Sequence, residues 1–417
     1  MDVKRVVVTG IGTINPLGNN IKDFFDNLIE GVSGAGLITY FDTTNFKTKF
    51  ACEVKNYDST NYFDRKEVRK HDLYSQFGMI AANQAIEDAG ISKESADPFK
   101  IGVIWASGIG GIRTFYDEVA GFIEGGGIPR FSPFFVPKMI PDICAGHISI
   151  KHGFCGINYA TVSACASSTH ALIEAMNHIR RGTAVIMVAG GSESAINEAG
   201  IGGFNAMQAL SVNNENYKTA SRPFDKTRDG FVIGEGAAGL VLEEYEHAKA
   251  RGAKIYAEVI GGGMSADAFH LTAPHPEGLG AAGVMQAAIE DSNLSIEKFD
   301  YINVHGTATP LGDVAELKAI EKVFGSHVSK LNISATKSMT GHLLGAAGAL
   351  EALACICAIQ NQIIPPTINF EIPDPEIDYK KMNLTLNKAQ ECKVDVALSN
   401  NFGFGGHNAA IILKKID

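Results

Sequence analysis

The stretch Ala160-Thr-Val-Ser-Ala-Cys165-Ala-Ser-Ser-Thr-His170 sets one cysteine among alanine, serine and threonine. Small neighbours leave room for a ligand to reach the sulfur. Apolar residues at Leu172, Ala175, Met176 and Ile179 follow with helical spacing, which puts Cys165 at the foot of a helix. A helix N-terminus favours thiolate over thiol, so Cys165 is a candidate nucleophile. The alternative is a buried free cysteine acting only as a small hydrophobe. Three further segments carry residue types that could work with a thiol. His305 ends the strand-like run Tyr301-Ile-Asn-Val-His305 and enters Gly306-Thr307-Ala-Thr309-Pro-Leu-Gly-Asp313; α/β folds place their sites at such strand ends. Lys337-Ser-Met-Thr-Gly-His342 stands just before an apolar helix, and Asn400-Asn-Phe402-Gly-Phe404-Gly-Gly406-His-Asn408 is a glycine-rich turn with two aromatic rings. Each alone has a structural reading: a satisfied polar residue, a solvated charge, a tight turn.

The elements that must bring these segments together repeat along the chain. Residues 85–92 read Ala-Ile-Glu-Asp-Ala-Gly-Ile-Ser and residues 288–295 read Ala-Ile-Glu-Asp-Ser-Asn-Leu-Ser. Each ends a helix-period segment and leads through a polar loop to a strand-like run, Ile101-Gly-Val-Ile-Trp-Ala and Tyr301-Ile-Asn-Val-His. The helix after Cys165 is echoed by the Gly/Ala-rich apolar helix after His342, and helices apolar on all sides lie inside a protein. Alternating strands and helices predict mainly parallel sheets. The expectation is an α/β protein of two similar βα halves, 1–252 and 253–417, packed around two central buried helices.

Composition narrows the function classes. The 417 residues are 45% hydrophobic and 20% charged, an ordinary globular balance. A net charge of −10 argues against nucleic acid as the main partner. Seven cysteines in an odd, unladdered pattern argue against a disulfide framework and for a reducing, cytoplasmic setting. Leu343–Ile359, the longest apolar stretch, is interrupted by Glu351 and is expected to fall short of a membrane span. Val6-Val-Val-Thr-Gly10-Ile-Gly12-Thr-Ile-Asn15 imitates a dinucleotide loop, but Asn15 stands where the third glycine belongs and no acidic strand end follows.

Taken together, Ser163-Ala-Cys165-Ala, Arg222-Pro-Phe-Asp-Lys-Thr-Arg-Asp-Gly230-Phe, His305-Gly-Thr-Ala-Thr309, Lys337-Ser-Met-Thr-Gly-His342 and Phe402-Gly-Phe-Gly-Gly406 resemble the β-ketoacyl-[acyl carrier protein] synthases, of the elongating synthase II type. The resemblance runs nearly end to end. It implies the thiolase fold, a five-layered αβαβα sandwich of two halves, and decarboxylative condensation of an acyl thioester with malonyl-[acyl carrier protein]. It implies Cys165 as nucleophile, His305 and His342 as neutral donors to the enolate oxygen, and the backbone N–H groups of Cys165 and Phe402 as the oxyanion hole. Lys337 and its partner Glu351 take the family's positions for an active-site lysine and a buried carboxylate. Phe402 would gate the acyl pocket, Ile109 would line it at a dimer interface, and His270, Thr307, Thr309 and Phe404 would meet substrate. Asp313 and the Asp225–Gly230 run would shape the site.

No redox cofactor or catalytic metal is required by this chemistry. The resemblance does imply a structural monovalent cation held by Asn303, Glu351, Ser399 and Asn400. Lys66, Arg69 and Lys70 have the i, i+3, i+4 spacing of one helical face, and Arg130 and Lys138 flank Ser-Pro-Phe-Phe-Val-Pro. In the family such positions dock an acidic acyl carrier protein, and the enzyme is a homodimer. The chain departs from the family pattern at Ser167, Gln208, Asn401 and His407. Synthases of polyketide and polyene chains share every motif quoted, and a non-catalytic chain-length subunit would lack the nucleophile that Cys165 supplies.

Overall fold

The computed structural model describes residues 3–416. From its outer edge inward, the first half of the sheet runs Asn158–Tyr159, Ile101–Ala106, Ile186–Glu193, Gly236–Glu244 and Val6–Ile14. In the second half Asn332–Ser334, Tyr301–Asn303, Val396–Gly403, His407–Lys414 and Ala257–Ala266 repeat that order, with Asn383–Leu384 added outside. In both halves the outer pairings are parallel and the inner two antiparallel. The sheets are therefore mixed, where alternating strands and helices suggested mainly parallel ones. In the second half the reason is local: Val396–Gly403 turns into His407–Lys414 through residues 404–406, and so short a link joins antiparallel strands only. The halves meet along the ladder at Val7↔Glu258 and Val8↔Ala257.

The sequence echo is a shared helix ending. Leu73–Ala89 stops at Gly90 and Leu279–Ser292 at Asn293, both left-handed, with φ of 63° and 55°. Glycine and asparagine are the residues that take this C-terminal conformation most easily. A short 3-10 turn follows in each half, Pro98–Lys100 or Ile296–Lys298, and then the strand.

The central layer is built by Ser167–Arg180 and Ala347–Asn361, which pack on each other and on both sheets in one apolar cluster. Separate clusters lie under the outer helices, around Trp105 and Phe77 on one side and around Met285 and Phe324 on the other. That stacking gives five layers. Leu344–Asn361 is long and apolar enough to cross a membrane, more than the sequence reading allowed, yet 89% of it is buried inside the protein.

Gly10 and Gly12 have a packing role. A Cβ at Gly12 would lie 2.2 Å from the Ala81 carbonyl oxygen, and one at Gly10 2.1 Å from that of Ala85, so Leu73–Ala89 presses directly on the strand backbone. Gly12→Ala is expected to destabilise the protein by about 2 kcal/mol through overpacking, measured by denaturant unfolding. Unchanged stability would remove this account of the motif.

Candidate active site

Cys165 occupies a strained turn. Ala164 is left-handed at φ 50°, a conformation that costs a non-glycine residue about 1–2 kcal/mol. Ser167 holds it: its Oγ accepts from the Ser163 N–H at 2.8 Å and donates to the Ala164 carbonyl at 2.6 Å. The 3-10 turn Ala164–Ala166 then opens into the helix Ser167–Arg180. The sulfur is buried in an apolar cluster with Ile196, Phe231, Leu344 and Ile109.

The thiolate expectation is corrected here. Burial pushes the Cys165 thiol up to about 12, only partly offset by the Lys337 charge and by a backbone N–H bonded to the sulfur. The resting group is thus a thiol; desolvation outweighs the helix terminus. The N–H bonded to the sulfur is supplied by Phe404, two residues beyond Phe402, whose own N–H is the expected oxyanion donor. Phe402 is still within the strand, opposite Asn408, and offers its ring, 5.5 Å from that of His305.

His305 lies two residues beyond the strand Tyr301–Asn303. The carboxylate of Glu316, on the helix Pro310–Phe324, accepts from the His305 and Gly306 backbone N–H groups at 2.8 Å each. His342 follows the short helix Lys337–Thr340, and its N–H donates to the Val232 carbonyl at 2.7 Å. Its ring stands edge-on to Phe231 and to His305, with centroids at 5.2 Å and 5.3 Å. The Leu344 backbone N–H donates to His342 Nδ1 at 3.3 Å. A neutral imidazole that accepts at Nδ1 carries its proton on Nε2. Burial, followed by the Lys337 charge, holds both rings well below the ordinary imidazole range, so both are neutral.

A ligand-type atom from each of Cys165, His305 and His342 lies within 4.8 Å of the other two. Such a trio is also a zinc donor set. Here, however, Nε2 of His342 presents a hydrogen instead of a lone pair, and Lys337 adds a nearby positive charge. The arrangement suits a thiol nucleophile with hydrogen-bond donors.

Lys337 and Glu351 form a fully buried ion pair. The other Glu351 oxygen accepts from Asn401 Nδ2 at 2.7 Å, and Thr169 Oγ1 donates to Asn401 Oδ1 at 2.6 Å. The departure at Asn401 is thereby absorbed into the support of the lysine. Asp313 accepts from the Phe224 and Ala308 N–H groups and faces Arg228 at 3.4 Å. A cavity of about 520 Å³ opens over the trio, lined also by Phe402, Phe404, Thr307, Thr309, His270 and Gln208. His270 Nδ1 accepts from the Thr272 and Ala273 N–H groups, which leaves the proton on Nε2. Ile109 contributes to the apolar cluster beside Cys165.

The four residues expected to hold a cation do not converge by side chain. Asn303 and Ser399 are register partners in adjacent strands, on the face toward the central helix that carries Glu351. Asn400 lies on the opposite face, with Nδ2 3.5 Å from Glu316. Ser399 Oγ and Asn400 Oδ1 are both buried without a hydrogen-bond partner among the described residues, but the sheet separates them. The Glu351 oxygens are taken by Lys337 and Asn401.

Lys66, Arg69, Lys70 and Arg130 are exposed, and Lys138 is half-buried. The helical face expected of the first three is only a single turn, Arg65–Val68, capped by Asp64.

Sequence reading missed Glu316, Glu193 and Phe231. Glu316 could have been found from Asp313-Val-Ala-Glu316, two acids at i, i+3 on an otherwise apolar helix face. Glu193 closes the apolar strand Ile186–Glu193, where a solvated charge is out of place.

The chain matches Beta-ketoacyl synthase, N-terminal domain over residues 3–248 and Beta-ketoacyl synthase, C-terminal domain over residues 256–371. It is 46% identical over 418 residues to 3-oxoacyl-[acyl-carrier-protein] synthase 2 of Vibrio harveyi, covering 100% of both chains. It is 46% identical over 417 residues to the protein of that name from Staphylococcus aureus (strain COL), covering 99% of each. Among solved structures it is similar to a chain of AntDE:AntF, a type II PKS acyl-carrier protein in complex with its ketosynthase, with TM-score 0.92, 33% identity and 100% of both chains covered. A thiol and two neutral imidazoles drawn from the two halves of a duplicated five-layered fold, with these likenesses along the full length, place the chain in the beta-ketoacyl synthase family.

Proposed function

We propose that this protein is an elongating 3-oxoacyl-[acyl carrier protein] synthase of fatty acid synthesis. The observation that carries the reading is the meeting of Cys165, His305 and His342 within 4.8 Å under one cavity. Cys165 Sγ attacks the carbonyl of an acyl thioester. Its proton passes to a neutral imidazole and then to the sulfur of the departing carrier. His305 suits that step, because its Nδ1 has no hydrogen-bond partner among the described residues to fix its tautomer. The backbone N–H groups of Cys165 and Phe404 hold the oxyanion.

Malonyl carrier then enters and loses CO2. The electron pair left behind forms an enolate, and N–H donors on His342 and His305 stabilise its oxygen. The enolate carbon attacks the acyl group, and the thiolate of Cys165 leaves and takes up a proton from solvent. No step uses a metal or redox cofactor. Identity of 46% to the fatty-acid relatives against 33% to the polyketide complex favours the fatty-acid pathway.

Lys66, Arg69, Lys70, Arg130 and Lys138 would receive an acidic carrier. Exposed Phe115, Phe131 and Val136, with Phe131 stacked on Phe135 at 5.4 Å, form an apolar patch that supports self-association as a homodimer. This patch lies on the segment just past Ile109, so a second copy would complete the acyl side of the site. All seven cysteines are free, in keeping with a reducing cytoplasm.

Mass spectrometry after mixing with an acyl carrier thioester is expected to find the acyl group on Cys165, discharged with CO2 release on adding malonyl carrier. An adduct elsewhere, or condensation by Cys165→Ala, would overturn the reading. His342→Ala is expected to slow CO2 release about a hundredfold or more while acyl loading falls far less; equal loss of both would contradict the donor role. Because the imidazole pKa values are lowered, the rings stay neutral as pH falls through 6.5 and charge only below it. CO2 release from acyl-loaded enzyme should therefore hold level from pH about 8 to about 6, and a drop centred near 6.5 would refute the neutral assignment. Lys70→Glu should raise KM for carrier-bound substrate, with kcat nearly unchanged and the difference shrinking in high salt.

A further inference from the structure

Glu193 is fully buried, and its partners among the described residues are neutral donors. Its carboxylate accepts four hydrogen bonds: Gly108 N–H at 2.7 Å and Gly345 N–H at 3.0 Å on Oε2, Ser107 hydroxyl at 2.9 Å and Ile109 N–H at 3.3 Å on Oε1. One side chain thus ties the Ser107–Ile109 loop to the turn that opens the second central helix. The two backbones touch there; a Cβ at Gly345 would lie 2.2 Å from Gly108 N.

That turn corresponds to the nucleophile turn of the first half. Leu344 has φ 48° where Ala164 has 50°, and each opens a 3-10 turn that leads into a central helix. Gly345 therefore stands where Cys165 stands in the other half, with its backbone N–H engaged by Glu193. Its neighbour Leu344 supplies the N–H that fixes His342 Nδ1. Ile109, on the other side of the clamp, packs in the cluster around Cys165.

We propose that Glu193 is a positioning residue whose carboxylate clamps the Ser107–Ile109 loop to the Leu344–Gly345 turn and so holds His342 in the tautomer that donates from Nε2. It acts through Leu344 and never touches substrate. The consequence for condensation rests on the proposed role of His342; the consequence for the tautomer does not.

The test is 15N NMR of histidine-labelled protein, with the His342 signals assigned by their loss in His342→Ala, alongside acyl loading and CO2 release. The parent is expected to show His342 protonated at Nε2. Glu193→Ala should give a mixture of tautomers and slow CO2 release by about a hundredfold, as a misplacement of this order does, with acyl loading little changed. Glu193→Gln, whose amide oxygen still accepts from Gly108 and Gly345, should restore both readouts. Glu193→Asp, a methylene shorter, should fail like alanine and serves as the test if Glu193→Ala does not fold. An unchanged His342 tautomer in Glu193→Ala or Glu193→Asp, or a glutamine variant as impaired as alanine, overturns the proposal. If His342→Ala itself releases CO2 at the parental rate, the condensation reading fails while the tautomer signals still decide the role of Glu193.

Discussion

A thiol and two imidazoles share a pocket in which all three are buried. Ionising the thiol there costs desolvation energy that the Lys337 charge repays only in part, and charging either imidazole costs desolvation energy to which Lys337 adds repulsion, so all three rest uncharged. The single cation close by, Lys337, is matched by Glu351, and that carboxylate is completed by Asn401 and Thr169. Removing one member of such a buried pair leaves an uncompensated charge, which is why the pair and its two polar supports belong together. Neutral donors are also what an enolate oxygen calls for: they stabilise charge as it develops without attracting the substrate carboxylate beforehand.

The duplicated halves divide this work. Both build a left-handed residue into the entrance of a central helix. In the first half the residue after it is Cys165. In the second it is Gly345, whose N–H is bound to a carboxylate. The histidines enter from the second half at its strand end and helix entrance: the Glu316 carboxylate holds the backbone of His305, and the Leu344 N–H holds the ring of His342. One scaffold therefore presents a buried thiol from one half and two neutral imidazoles from the other.

Much of this could be read from the chain. The Ala-Ile-Glu-Asp echo marked equivalent helix endings because the left-handed cap demands glycine or asparagine. Cys165, His305 and His342 were legible as residue types in distinctive settings. The Phe404 N–H that acts on the sulfur was not legible, because a backbone N–H is carried by every residue but proline and no side chain advertises it. The thiolate expectation failed because burial is a tertiary property, invisible in a run of small residues. Glu193 and Glu316 look like any acid until the strand and helix around them prove buried. Ser399 and Asn400 are a different case: strand alternation alone puts consecutive side chains on opposite faces, so their separation was already implied by the sequence.

The ladder between the two halves of the sheet has consequences for synthesis of the chain. Among the described residues, two pairs, Val7↔Glu258 and Val8↔Ala257, connect the halves in register, beside the Arg5–Glu258 ion pair. Cohesion rests instead on Ser167–Arg180 lying against a partner helix that is translated some 180 residues later. A nascent first half leaves the ribosome with its innermost helix uncovered on the side that Ala347–Asn361 will occupy. Until then that apolar stripe is open to chaperones or to neighbouring chains, so the interval between translating the two helices is when the polypeptide is most exposed to aggregation.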